Sequence, residues 1–245
     1  MERLEAELGR ARELDVGELA DAIARIGFEC TRCGACCKGY ETDDGREGRH
    51  DGTDRDGGTD REPHTATVFP DEVRTVADAA ETTFEEPYDW RDVARPMPYG
   101  LETGDDGSPV GETFEWALAT DDCGDCTFYA ETDGEGACTV HDARPLVCRT
   151  YPFSVALGGT SEPMGEAVDA EGIVRAHECE GLGRDIDRED AERLAAALKK
   201  RAVRELEEAI AVREGYDPGA GGRTDVDVVV FDSEGPKRGD GTPIG

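Results

Sequence analysis

Cys30-Thr-Arg-Cys33-Gly-Ala-Cys36-Cys37 places four thiols within eight residues. A two-residue spacer between cysteines lets a tight turn present both sulfurs to one ion, a spacing that recurs in zinc sites and iron–sulfur clusters. Here it occurs twice in overlapping form, and Gly34 supplies the backbone freedom that a crowded turn needs. Thiols this dense are metal ligands before they are packing residues, so the stretch predicts a fold stabilised by thiolate–metal bonds. Neighbouring side chains in extended chain point to opposite sides. Cys36 and Cys37 are therefore expected to serve different centres, or one centre and its surroundings.

Upstream of this stretch, residues 2–26 read as helical. Leu4, Leu8 and Ala11, then Leu19, Ile23 and Ile26, recur at helical spacing, with Gly17 interrupting. Downstream, residues 41–63 are almost entirely Asp, Gly, Arg, Glu and Thr and predict a solvated acidic insertion with nothing to bury. His50 and His64 lie in or beside it and read as loop histidines. Thr67-Val-Phe-Pro-Asp71-Glu is predicted to start a short helix through about Ala80, with Pro70 near its first turn, and a strand is predicted over Thr113–Leu118. Asp187 reads as the N-cap of a helix carrying Leu194, Leu198, Ala202, Leu206 and Ile210 on one face. Val226–Phe231 suggests one late strand in a mostly flexible segment over 219–245. The expectation is one α+β domain over 1–218, small, irregular and metal-stabilised, with flanking N- and C-terminal helices.

Lys+Arg 27 against Asp+Glu 58 gives a net charge of −31 in 245 residues, and only four of the bases are lysine (Lys38, Lys199, Lys200, Lys237). Acid spread along the whole chain, with arginine replacing lysine, reads as a halophilic acidic protein whose self-repulsion is screened by salt. The same field argues against nucleic acid as a partner. No run approaches the ~20 apolar residues of a membrane span. The N-terminal residues lack a signal-peptide pattern, so a cytoplasmic, reducing location is expected, where nine cysteines point to metal rather than to disulfides.

Further cysteines follow in Cys123-Gly-Asp-Cys126-Thr-Phe, in Cys138 through Arg144-Pro145-Leu-Val-Cys148-Arg149-Thr-Tyr151-Pro152-Phe153, and in Cys179-Glu-Gly181. With Phe28-x-Cys30-x-x-Cys33-x-x-Cys36-Cys37, these motifs in this order resemble the YkgJ-like CxxCxxCC cysteine-cluster family, described as zinc- or iron-chelating or as Fe–S oxidoreductases. The resemblance spans residues 28–183. It implies eight metal ligands: Cys30, Cys33, Cys36, Cys37, Cys126, Cys138, Cys148 and Cys179. Cys123 falls outside the pattern, and the acidic insertion and the tail are particular to this chain.

Eight thiolates suffice for two tetrahedral zinc ions or two [4Fe–4S] clusters, or for one centre with thiols to spare. Ligand chemistry alone leaves iron and zinc open. The wide dispersal of the cysteines favours an iron–sulfur cluster over compact zinc knuckles. Pro145 and Pro152 stiffen the chain on either side of Cys148. Arg144 and Arg149 are placed to donate to anionic sulfur from around the cofactor, the plainer alternative being pairing with surface carboxylates. His141 and His177 are subsidiary ligand candidates, and Tyr151 and Phe153 read as packing.

No catalytic triad, dinucleotide fingerprint or Walker loop is present. The expected function is thus a metal-binding protein with an iron–sulfur centre for electron transfer or a cluster-dependent redox reaction, working with a redox or protein partner. Three alternatives stand beside it: a structural zinc protein, a protein-modifying enzyme related to flagellin lysine methylases, and a disulfide-stapled module.

Overall fold

The computed structural model describes residues 2–41, 61–157, 167–169, 171–218 and 227–244. His50 and most of the acidic insertion lie outside the described residues, and the insertion's ends pair, Tyr40–Glu41 against Arg61–Glu62. The α-helices among the described residues are α1 (Glu2–Glu13), α2 (Val16–Ile26), α3 (Pro70–Phe84), α4 (Trp90–Val93), α5 (Leu146–Thr150) and α6 (Arg188–Gly215). They combine with several small sheets into the expected α+β fold. None of the helices is long and apolar enough to cross a membrane.

One apolar core lies where α1 and α2 pack on α6. Leu19, Ala20 and Ile23 meet Ala191, Ala195, Leu198, Ala202 and Leu206, and Phe153, Val155, Val174 and Ala176 of an adjoining three-stranded sheet close the core. The helical break falls before Gly17. Asp15 starts α2 by accepting the Glu18 N–H at 2.9 Å, and the glycine sits within the first turn. Asp187 caps α6 in the same way, accepting from Asp190 at 2.8 Å.

A second core gathers Val68, Val73, Val76, Val93, Trp116 and Leu118 with Cys126, Phe128, Val228 and Val230. Here α3 starts at Pro70 and runs past Ala80 to Phe84, where Glu85 adopts a left-handed φ of 57°. The strand expected over 113–118 is two strands in two sheets. Pro109–Thr113 pairs with Leu101–Thr103, and Trp116–Leu118 is the centre of a sheet with Thr67–Val68 and Ala94–Pro96. Trp116, Ala117 and Leu118 are all buried, which a single strand with one wet face could not achieve.

The tail also differs from expectation. Over 227–244 it is a hairpin, and Val228–Asp232 pairs parallel with Pro109–Thr113 and antiparallel with Gly235–Arg238. The apolar run Val228–Phe231 is buried, and Asp232 accepts both the Trp116 indole N–H (2.8 Å) and the Lys237 ammonium. A buried ion pair with these bonds holds chain that composition alone reads as mobile.

Candidate metal centre

The site is built on Gly34, whose φ of 76° turns the chain from Cys33 into a 3-10 turn over Ala35–Cys37. A Cβ at Gly34 would overlap the Tyr129 ring, and one at Gly136 would lie 2.7 Å from the same ring. That ring thus occupies the space left by two glycines. The Tyr129 hydroxyl donates to Glu131 (2.6 Å), which also accepts from Lys38 (2.7 Å), and the Gly136 N–H donates to the Arg32 carbonyl (2.7 Å). The cysteine loop is thereby clamped onto the hairpin Tyr129–Thr132/Glu135–Cys138.

Because the chain turns here, the premise of extended chain fails at Cys36 and Cys37. Their sulfurs lie 3.8 Å apart. Their surroundings nonetheless differ. Cys37 packs with Cys126, Cys138 and Cys148 against the second core, and the Cys126 N–H donates to the Cys37 carbonyl at 2.8 Å. The charges of Cys36, Cys148 and Cys126 act on Cys37, and those of Cys126, Cys138 and Cys36 act on Cys148. On the other side, Cys179 feels Cys33, Cys36 and Cys30. Cys36 therefore stands at the junction of an inner group (Cys37, Cys126, Cys138, Cys148) and an outer one (Cys30, Cys33, Cys179).

Each group has its own support. Cys138 ends its strand opposite Tyr129. Cys148 lies on α5, whose Leu146 N–H is bound by Glu72 at 2.8 Å. Cys179 accepts the Gly181 N–H at 3.4 Å, and its segment is docked on the cysteine loop through Glu29 N–H to Gly181 carbonyl (3.0 Å) and the Phe28–Leu182 bridge. Cys30 and Cys36 are exposed and Cys126 is buried.

These environments separate the thiols chemically. Cys36 is lowered from the ordinary thiol value of 9.0 to about 7, first by its contact with Cys37 and further by Arg144. Cys37 is raised by that same contact and by burial. Burial pushes Cys126 up to about 11, and it also raises Cys138, Cys148 and Cys179. Arg144 opposes the rise at Cys138 and Cys148. Neither Arg144 nor Arg149 forms an ion pair among the described residues, so neither is absorbed by surface carboxylates, whereas Arg12, Arg74, Arg188, Arg193, Arg201, Arg204 and Arg213 all are. Arg149 is exposed beside Cys148.

Cys123 is exposed on the loop before Cys126. The ring of His141 is exposed beside Asp142, and His177 Nε2 is 2.9 Å from the Ser154 hydroxyl. His64 is pushed down to about 4 by burial and by Arg95. Sequence reasoning missed Glu72 and Tyr129. Glu72 had a local signal, three residues after Phe69 in the first turn of α3. Tyr129 had none, because Gly34 lies far away in sequence and Gly136 meets the ring only once the hairpin has formed.

Among the described residues, no three His, Cys, Asp or Glu side chains already surround one point as ligands of a metal ion. What the structure supplies is nine thiols, none in a disulfide, eight of them in the cysteine motifs, with Cys37, Cys126, Cys138 and Cys148 packed at the second core. Soft sulfur donors of this kind suit zinc and iron. The family model of the CxxCxxCC domain, described as a "putative zinc- or iron-chelating domain", matches residues 29–180. The chain belongs to the CxxCxxCC family. All eight thiols fall inside the matched span, as do Arg144, Arg149 and Tyr151. Membership supports metal binding by this chain. No curated protein and no solved structure matches the chain.

Proposed function

We propose that this CxxCxxCC protein carries two four-thiolate centres and serves as a redox metalloprotein with iron–sulfur clusters. The inner centre is assigned to Cys37, Cys126, Cys138 and Cys148, and the outer to Cys30, Cys33, Cys36 and Cys179. One observation carries this reading: the exposed Cys36 meets Cys37, one of the thiols packed at the second core, at a sulfur contact of 3.8 Å. A relay needs one centre near the surface to meet a partner and a second within a few ångströms, shielded from water. An iron–sulfur cluster, when bound, supplies one-electron redox chemistry. The residues of this chain hold and tune it. Apolar packing around Cys126 and Cys148 excludes water, Arg144 offsets thiolate charge, and backbone N–H groups such as that of Gly181 donate to sulfur. A redox partner protein in a reducing, cytoplasmic compartment completes the reading, and the acid excess suits one rich in salt.

A specific observation supports a second reading. Zinc–thiolate bonds of about 2.3 Å give a tetrahedron with an edge of about 3.8 Å. Cys36 and Cys37 are spaced like that edge, so one zinc ion shared by both and two inner thiols would make the site structural. Anaerobic purification in high salt, followed by iron, zinc and sulfide analysis with visible absorption, decides between them. The redox reading expects about eight irons and eight sulfides per chain. Zinc without sulfide would overturn it.

A further inference from the structure

Tyr151 and Phe153 lie close together in sequence, yet the structure gives them different work. Phe153 is a core residue, 1% exposed, in edge-to-face contact with Phe28 at 5.7 Å. Tyr151 is half-buried. Its hydroxyl reaches across 27 residues of sequence to donate to the backbone carbonyl of Glu178, the residue before Cys179. The ring stands within electrostatic reach of Cys179, Cys36 and Cys33. One residue along, the His177 N–H donates to the Pro152 carbonyl at 3.0 Å, so the 151–152 and 177–178 segments are tied at two points.

Cys179 depends on such ties. It is separated from Cys148 by 31 positions that include residues outside the described set, and it sits on irregular chain, not on a helix or strand. The other end of its segment is held by the Glu29–Gly181 bond, an approach so close that a Cβ at Gly181 would collide with the Glu29 carbonyl. Between that bond and the Val174–His177 strand, the Tyr151 hydroxyl bond at Glu178 fixes the backbone just before the thiol.

We propose that Tyr151 is a positioning residue for the outer centre: its hydroxyl latches Glu178 and thereby delivers Cys179 to Cys30, Cys33 and Cys36. The inner four thiols, carried by other segments, do not depend on it. This inference rests on the proposed division into two centres, but its first test does not require metal.

The test compares the full chain with Tyr151→Phe, which keeps the ring and removes the hydroxyl. In the metal-free protein, hydrogen exchange of the 178–182 amides should quicken about fivefold, the ratio one net hydrogen bond is worth. Exchange in the Tyr129–Cys138 hairpin should stay unchanged. Unchanged exchange at 178–182, or an equal rise throughout, would overturn the proposal. In the metal-loaded protein, N-ethylmaleimide labelling read by mass spectrometry should find Cys30, Cys33, Cys36 and Cys179 labelled about fivefold faster than in the wild type, with Cys37, Cys126, Cys138 and Cys148 unchanged. Gly181→Ala, which forces the same segment away from Glu29, should give the same labelling pattern. Retained protection of Cys179 in loaded Tyr151→Phe would also overturn the latch. A wild-type chain that takes up no metal would defeat the functional reading instead, and the exchange measurement would still judge Tyr151.

Discussion

Glu72, in the first turn of α3, accepts the backbone N–H of Leu146 at 2.8 Å, while its other oxygen takes the N–H of Phe69 at 3.2 Å. One carboxylate therefore serves the start of its own helix and the start of the helix that carries Cys148, 74 residues away in sequence.

Glu72→Ala removes both acceptors and should cost about 1–3 kcal/mol in urea unfolding. Glu72→Gln keeps an amide oxygen for Leu146 but turns its NH2 on the Phe69 N–H, so it should lose about half as much. Burial raises the Glu72 pKa above its ordinary 4.5, against the opposing effect of the two N–H donors. The folded chain thus binds this proton more tightly than the unfolded chain does. The contribution of Glu72 to stability is fully present below pH 4.5 and falls as pH rises through the raised value. The Gln variant should lack that slope.

The grouping of thiols makes a second prediction. Cys37→Ser or Cys148→Ser should cost the inner centre and leave the outer, and Cys30→Ser or Cys179→Ser should do the reverse, each reducing metal per chain by about half. Cys123→Ser should load as the wild type does. Metal analysis with labelling of exposed thiols checks all five. Loss of all metal in every variant would mean that the eight thiols act as one centre.

What the sequence made legible is what local spacing encodes. The Asp187 cap, the proline in the first turn of α3, the apolar faces of α2 and α6, and the cysteine motifs all depend on residues within a few positions of one another. The outcome at Cys36–Cys37 was not legible, because whether adjacent side chains diverge depends on backbone conformation. Here Gly34 in the left-handed region starts a 3-10 turn. Nor were the contacts of Cys126 with Cys37 and of Gly181 with Glu29 legible, since each joins residues across a long stretch of chain. The tail misled for a related reason. Its Gly, Pro and charged residues look solvated until Lys237 finds Asp232 under Trp116 and Trp90.

The thiol environments predict how the metal-free chain responds to pH. Cys36, lowered to about 7, should be alkylated by iodoacetamide with a midpoint near that value, while Cys126, raised to about 11, stays inert at neutral pH. For stability the two act in opposite directions. A depressed thiol adds stability as pH rises from about 7 towards 9, because only the unfolded chain still holds that proton. The raised thiols, Cys37, Cys126, Cys138, Cys148 and Cys179, remove stability once pH passes 9, because the folded chain keeps protons the unfolded chain releases. Denaturation midpoints of the metal-free protein should therefore climb slightly to about pH 9 and fall steeply above it. A monotonic rise would contradict these environments.

The C-terminal hairpin gives the last prediction, because it shares a core with the inner thiols. Val228 and Val230 pack in the same cluster as Cys126, and Cys37, Cys138 and Cys148 pack against that cluster. Within the hairpin the Lys237 and Asp232 side chains are 5% and 2% exposed. Lys237→Ala leaves the Asp232 carboxylate buried with the Trp116 N–H but without its cation. Removing one partner of such a pair costs about 3–5 kcal/mol. If the hairpin were an appendage, that loss would stay local. Because its strand lines the core behind Cys126, Lys237→Ala should also release metal from the inner centre to a chelator faster than from the outer one. Thiol labelling during chelation reads the order: Cys126 and Cys148 should become reactive before Cys179, the reverse of the order expected from surface exposure in the wild type.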